Sequence, residues 1–378
     1  MTTVCQVLHF CPLPSFSGLE QYALKLAVES RARGVEACFV VLKGSELETE
    51  CSKAGVPAFV VDFPYEKSLF SAAGQYAKIL RALPNLKLIH LHSSQDIDRI
   101  GLALLRVRVR PKVIQQNHVW ISHGKNDPIH WITHKVLDEI WCSSEKARED
   151  LERFLPVPKS KIHVIRYGRD LNIVQTFSPR ESARAELGLP SDALVLGAIA
   201  RIDKGKGIWE LLQASTQLMD EGADFHLVVI GGPTLTDPAS IEFSKKVTEF
   251  VETLPPRIRE RVKLTGGIPN AGRLLKAFDL YAQVAYKETF SLALLDAQLA
   301  ELPVIGTDSG GTPEVVREGS TGWLAKPEDI PTLKAAIKTS LNHRASWKAF
   351  GQRARARVER EFDINVIVPE IIRRYSIS

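Results

Sequence analysis

The sequence predicts an α/β protein of two doubly wound domains with a cleft between them. Three observations carry that expectation: a length of 378 residues, an alternation of strand-like and helical runs from end to end, and one lapse in that alternation near the middle. A chain of this length exceeds one comfortable core and suits two domains of ~150 to 200 residues each. Hydrophobic residues make up 44% and charged residues 25%, the balance of a soluble globular chain, and no low-complexity tract argues for disorder.

In the first half the runs "TVCQVLHF", "ACFVVLKG", "PAFVVDF", "KLIHLHS", "KVIQQNHV", "EIWCSS" and "KIHVIRYG" are β-branched and apolar on both faces. Helical stretches such as "LEQYALKLAVESRARG" and "SLFSAAGQYAKILRAL" separate several of them. Strands apolar on both faces and joined by helical crossovers predict a parallel sheet covered on both sides. From Tyr167 to Pro190 the pattern gives way to a polar stretch punctuated by Pro and Gly, which places the domain boundary there. It then restarts with "ALVLGAIAR", "DFHLVVIGG", "VKLTGG", "LYAQVAY", "PVIGTD" and "GWLAKP" as strands. The expected division is a first domain over 1–168, a second over 169–350, and helices over 351–378 that cross back to the first.

Charge is uneven. Residues 1–168 hold 22 Lys and Arg against 17 Asp and Glu, a net of +5, and the remainder balances at 27 against 27. That asymmetry favours an anionic substrate or a membrane surface near the first half, and nothing points to nucleic acid. The five cysteines are an odd number without C-x-x-C spacing, so core thiols are expected rather than disulfides or metal ligands. The opening "MTTVCQVLHFCPLP" has no basic leader, and no apolar run approaches the ~18 residues of a membrane span, so the expectation is a cytoplasmic protein. The basic run "RVRVRPK" at 106–112 could hold an anionic acceptor or rest on the inner face of an acidic membrane; a solvated face is the plainer reading.

Neither half has G-x-G-x-x-G after its first strand, and there is no G-x-x-x-x-G-K-[ST], which disfavours a nicotinamide dehydrogenase or a P-loop ATPase. The first strand of the second half is followed by "ARIDKGKG", a glycine-rich loop that can bring Arg201 and Lys206 onto a diphosphate. "LYAQVAYKETFSLALLDAQLAEL" then places Glu288, Thr289 and Phe290 at a strand's carboxyl end. A helix follows whose Leu292, Leu295, Leu299 and Leu302 share one apolar face. The amides at its start, Ser291 and Leu292, suit phosphate oxygens. Asp296 falls inside the helix, where it needs a partner, and ribose hydroxyls would serve. In "TDSGGTPEVV", Gly310 and Gly311 permit close backbone approach, and Thr312 with Pro313 reads as a cap and first helical residue. Three adjacent strand ends with such features outweigh the bland alternative, a capping Glu288 and a half-exposed Asp296.

From "ARIDKGKG" to "STGWL" the chain resembles the nucleotide-sugar-binding half of the retaining GT-B glycosyltransferases of the family 4 group, which carry Glu, seven residues, Glu, then Gly-x-Pro-Val and Gly-Gly. The first half resembles the family more loosely, in "LPSFSGLEQYALKLAVESRARGVEACFVV" and "YGRD". The resemblance implies two Rossmann-like domains facing a central cleft and transfer of a sugar from a nucleotide-diphosphate sugar, with UDP the expected nucleotide. The acceptor would be a lipid-linked or saccharide hydroxyl in cell-surface polysaccharide, lipopolysaccharide or glycolipid synthesis. It implies that Arg201 and Lys206 hold the diphosphate, Glu288 the sugar ring and Asp296 the ribose. The amides of Phe290, Ser291 and Leu292 would cradle phosphate, Gly18 would lie against the phosphates, and His118 would face the reacting sugar, with His90, His92 and Asn117 as weaker candidates. Three positions depart from the family: Asp296 replaces Glu, Glu301 replaces the Gly before "PV", and Ser17 takes one place of a Gly pair.

"DID" at 96–98 resembles a metal-binding D-x-D, but it opens a helical run, so capping and dipole compensation are expected. No metal or other cofactor is expected. Two other functions suit the same architecture: a nucleotide-sugar epimerase and a non-catalytic nucleotide-sugar-binding subunit. Release of nucleoside diphosphate with and without acceptors separates them from a transferase.

Overall fold

The computed structural model describes residues 4–16, 18–62, 68–121, 124 and 128–376. The chain divides into two compact units, Met1–Gly168 with Asn365–Ser378, and Arg169–Ile364.

The first unit is built on a seven-stranded sheet in the order β3-β2-β1-β4-β5-β6-β7. Its strands are β1 (Val7–Cys11), β2 (Ala37–Leu42), β3 (Ala58–Val61), β4 (Leu88–Leu91), β5 (Lys112–Gln116), β6 (Glu139–Cys142) and β7 (Ile162–Val164). Every pairing is parallel. Strands β1, β2 and β4 are buried at every position, which is why their sequences run apolar instead of alternating. The order reverses between β1 and β4, where His9 lies opposite His90 in register.

The second unit holds a six-stranded parallel sheet in the order β10-β9-β8-β11-β12-β13. The strands are β8 (Val195–Ile199), β9 (His226–Ile230), β10 (Val262–Leu264), β11 (Leu280–Gln283), β12 (Val304–Thr307) and β13 (Gly322–Ala325). Here the order reverses between β8 and β11. In open α/β sheets such a switch point leaves a crevice at the strands' carboxyl ends. Twelve of the thirteen strands fall within the runs picked out from the sequence, and β1 passes the end of its run by one residue, to Cys11. All five cysteines are buried, as core thiols should be. Among the described residues no helix is long and apolar enough to cross a membrane.

Four local expectations change. The helix expected from Phe290 begins at Leu292, with Ser291 as its N-cap, and ends at Leu299. Leu292 is only half-buried, while Leu294, Leu295, Ala297, Gln298 and Leu299 are covered, because the helix lies between the sheet and the helix Trp347–Glu361. Thr312 is the first residue of its short helix rather than its cap, which is Gly311. Asp96 makes no side-chain cap; it accepts from the Tyr76 hydroxyl at 2.7 Å and is fully buried.

The helices expected to cross back from residue 351 divide. Trp347–Glu361 stays with the second unit, where Trp347 and Phe350 join the core and the Arg357 guanidinium donates to Val315 O at 2.6 Å. Gly351 permits this packing, since a Cβ there would sit 1.9 Å from Glu301 O. Glu301 itself has φ +60°, a left-handed conformation that explains why the family carries Gly at this position. Only from Asn365 does the chain rejoin the first unit, where the Tyr375 hydroxyl lies 3.0 Å from His90 Nδ1 and its ring stacks on Trp141.

Candidate active site

The switch point of the second unit collects the loops after β8, β11 and β12. The loop after β8 turns at Gly207, whose φ is +69°; a Cβ there would lie 2.1 Å from Val284 O. Glycine therefore lets this loop seat directly on the backbone that follows β11. Tyr286 N donates to Gly205 O at 3.0 Å and fixes the contact. The consequence is that Lys206 Nζ reaches Glu288 Oε2 at 3.2 Å, with both side chains mostly buried. Gln283, the last residue of β11, donates to the same oxygen at 3.1 Å. The loop after β12 completes the frame: Gly311 N donates to Glu288 O at 2.8 Å, and Ser309 Oγ donates to Tyr286 O. Lys206 and Glu288, 82 positions apart in sequence, thus form one ion pair at the switch point.

Arg201 sits at the same strand end but is 61% exposed. Its guanidinium is held by Asp203 Oδ2 at 3.0 Å and by Thr234 Oγ1 at 2.6 Å. Ser240 Oγ donates to Asp203, and Thr234 N donates to Ser240 Oγ at 2.7 Å. This aims the cation through three residues that sequence reasoning missed. Asp203 and Thr234 carried a usable signal, since each lies within four residues of a strand's carboxyl end; Ser240 carried none. Gln283 was also legible as a polar residue closing an apolar strand.

Asp296 does find a partner, and it is Arg169. The guanidinium grips the carboxylate with two parallel hydrogen bonds, Nε to Oδ1 and Nη2 to Oδ2, the latter at 2.8 Å. Burial pushes the Asp296 carboxyl above its usual value and Arg169 opposes that rise. Arg169 belongs to "YGRD", and its backbone is itself clamped, with N donating to Phe362 O at 2.6 Å and O accepting from Ile364 N at 3.0 Å. The fork occupies two of the carboxylate's roughly four lone-pair sites and leaves the others available to a hydroxyl.

At the helix start, Ser291 is buried and its Oγ accepts from Leu294 N at 3.2 Å. Helix geometry leaves the amides of Leu292 and Ala293 without an intrahelical acceptor, one residue further along than the expected Phe290 to Leu292. The Phe290 ring is buried against Phe362.

In the first unit, Gly18 opens the helix Gly18–Ala32 and is exposed, with open space where a Cβ would stand. Ser17 lies outside the described residues. His118 is a member of a hydrogen-bonded chain of imidazoles. Its Nδ1 is 2.6 Å from the Tyr167 hydroxyl and its Nε2 is 3.1 Å from His92 Nδ1. His92 Nε2 is in turn 3.0 Å from His9 Nδ1. Each neutral imidazole has one donor and one acceptor nitrogen, so the chain has a single direction and reverses as a unit. Burial holds His9 and His118 near pKa 3 and pulls His90 and His92 well below the usual value, so all four are neutral at pH 7. Asn117 is buried and donates to Val119 O at 2.8 Å, a turn-forming role.

Ligand nitrogens of His9, His90 and His92 lie within 4.8 Å of one another, a grouping that invites the question of a metal. The His92 ring stacks on both others while His9 and His90 tilt by 35°, with centroids 4.6 to 5.3 Å apart, and His9 and His92 already share a hydrogen bond of 3.0 Å. That arrangement favours hydrogen bonding over ligation.

Known proteins resemble this chain in both halves. The family profile of glycosyl transferases group 1 matches residues 179–357, and that of glycosyltransferase family 4 matches residues 16–173. A D-inositol 3-phosphate glycosyltransferase of Mycobacterium avium is 32% identical over 371 residues, covering 90% of this chain and 84% of the relative. The Nocardia farcinica protein of the same name is 31% identical over 220 residues, 56% of this chain. For that protein and several others the match spans about half of the relative's own length, 46% in the Nocardia case. Among solved structures, a glycosyltransferase from Rickettsia africae superposes with TM-score 0.87 at 18% identity, covering 99% of this chain and 98% of the other. Anabaena HepE, in complex with UDP and glucose, superposes with TM-score 0.79 at 19% identity over 98% and 99% of the two chains. These two likenesses are of fold.

Proposed function

This chain belongs to the glycosyltransferases of family 4 type, with a group 1 carboxy-terminal half, and on that premise we propose that it moves a sugar from a nucleotide-diphosphate sugar to an acceptor hydroxyl. The observation that carries the reading is the Lys206–Glu288 pair at the β8/β11 switch point. As the anomeric bond to the diphosphate breaks, negative charge grows on the leaving oxygen. Lys206 and Arg201, with the start of the helix at Leu292, supply positive charge there in advance, and such pre-aimed charge is the largest catalytic contribution expected for this chemistry. Glu288, held by Lys206 and Gln283, takes sugar hydroxyls. Asp296 takes ribose hydroxyls with the lone pairs that Arg169 leaves free.

We propose retention of anomeric configuration, with the acceptor oxygen arriving on the face the diphosphate leaves and passing its proton to the diphosphate. The new glycosidic C–O bond replaces the old one, and no side-chain nucleophile takes part, in contrast to the carboxylate pair of a retaining hydrolase. His118, neutral and already engaged at both nitrogens, exchanges one protein partner for a sugar hydroxyl when donor binds. Since cations supply the charge, no metal is required. UDP is the proposed nucleotide, because a similar fold in HepE holds it. D-inositol 3-phosphate is the first acceptor to try, given the names of the relatives, ahead of lipid-linked or polysaccharide acceptors.

The test is nucleoside diphosphate release from UDP-, GDP- and ADP-sugars, with and without acceptors and in EDTA. Acceptor-dependent release unaffected by EDTA supports the reading. Interconversion of donor isomers without acceptor would identify an epimerase, and binding without release a non-catalytic subunit.

A further inference from the structure

The first unit carries a face that the chemistry above does not use. Between Arg99 and Leu137 the sequence has seven Lys or Arg and a single acid, Asp127. The helix Ile97–Leu104 ends there in an alternation of apolar and cationic residues, Leu105 to Arg110. This loop is pinned to the next helical segment: Arg110 Nη2 donates to Val136 O at 2.7 Å, and Arg110 pairs with Asp138 at 2.9 Å. The helix Ile97–Leu104 also packs against Pro128–Thr133 and His134–Val136. Within these joined elements Leu105 and Val109 are 81% and 75% exposed, and Trp131 and Ile132 are 53% and 68% exposed. Arg106, Arg108 and Lys135 are exposed as well, whereas Val107 turns inward against the core.

Single exposed apolar residues need no explanation, but four on neighbouring elements interleaved with cations do. A stable protein interface keeps its centre apolar and sends charge to the rim. Here charge and apolar surface alternate residue by residue. A lipid headgroup layer accepts both at once: cations sit among the phosphates, and Trp and aliphatic tips enter the acyl boundary. Arg110 and Lys112 are paired with Asp138 and Glu139, and the remaining exposed cations Arg106, Arg108 and Lys135 are complementary to negative lipid charge. We infer that the face presenting Leu105, Val109, Trp131 and Ile132 with Arg106 and Arg108 docks the protein on an anionic lipid surface. This goes beyond the proposed reaction and does not depend on it, because lipid binding is read without turnover.

The experiment is co-sedimentation of the full chain with vesicles of phosphatidylcholine alone or mixed equally with phosphatidylglycerol. Binding is expected only to the mixed vesicles, and added salt should weaken it. One cation near an acidic surface contributes roughly five-fold in partitioning, so the double variant Arg106→Ser/Arg108→Ser should bind about 25-fold more weakly. Trp131→Ser/Ile132→Ser should lose about ten-fold or more at constant charge. Lys53→Ser/Lys146→Ser, at exposed cations elsewhere in the same unit, should match the parent. Equal binding to both vesicles, or no binding, overturns the inference. So does an equal loss in the Lys53/Lys146 control, and so does self-association without lipid binding that Trp131→Ser abolishes.

Discussion

Removing the fork on Asp296 should destabilise the second unit and should do so cooperatively with Asp296 itself. In Arg169→Met the aliphatic stem remains while the guanidinium goes, leaving a carboxylate whose side chain is 14% exposed without its cation. Breaking a fully buried pair costs ~3 to 5 kcal/mol, and the 24% exposure of Arg169 discounts this to about 2 to 3 kcal/mol. With a urea dependence of ~2 kcal/mol per molar, the unfolding midpoint should fall by roughly 1 M. Asp296→Asn keeps one acceptor for Arg169 and should cost less, about 1 to 2 kcal/mol. The double variant should cost about 1 to 2 kcal/mol less than the sum of the single changes, because each removes what the other would have stranded. The deficit of Arg169→Met should be largest at neutral pH. Its carboxyl value, already raised by burial, rises further without the cation, so the group stabilises the folded state only once protonated. The penalty therefore fades as pH falls through that raised value toward the ordinary 3.8. A midpoint shift below about 0.3 M, or strictly additive single and double variants, would refute the argument.

Lys206→Ala or Arg201→Ala should lower turnover by ~10²- to 10³-fold with the fold intact, measured as nucleoside diphosphate release; turnover near the parent in either would remove that cation from the leaving-group site. Gly207→Ala, forced into φ +69° and against Val284 O, should cost ~1 to 3 kcal/mol in urea unfolding and lower turnover by displacing Lys206 from Glu288. The four imidazoles with depressed values set an acid limit. Their folded values lie far below 6.5, so as pH falls under 6.5 the unfolded chain binds protons that the folded first unit refuses, and stability is lost toward pH 3. Each costs up to ~1.4 kcal/mol per pH unit, and unfolding free energies at pH 7, 6 and 5 should fall more steeply than one imidazole allows. A slope no greater than that of one group would show the chain of imidazoles to be open to protons. Glu301→Gly should be tolerated or stabilising by up to ~1 kcal/mol in thermal unfolding, since it relieves φ +60° at the loss of an exposed pair with Arg355.

The sequence by itself determined the two parallel sheets and where the loops at their strands' carboxyl ends fall. Runs such as "ACFVVL" and "HLVVI" declare themselves because burial on both faces leaves no room for polar alternation, and that signal is contained in a few adjacent residues. Lys206 and Glu288 were legible for the same reason: each sits in a polar break directly after such a run, with glycines beside Lys206. Only the tertiary structure decided which polar groups meet. Asp296 needed a partner on any reading of its helix, but Arg169 stands 127 positions away and nothing local distinguishes it from the other arginines. His9, His92 and His118 likewise look like three isolated strand-end histidines until the sheet order sets β1 beside β4 and β4 beside β5. Apolar burial is a property of each residue with its neighbours in sequence, whereas a hydrogen bond or ion pair belongs to two atoms at a fixed distance and direction. That geometry exists only once the crossovers have placed distant strands and helices side by side.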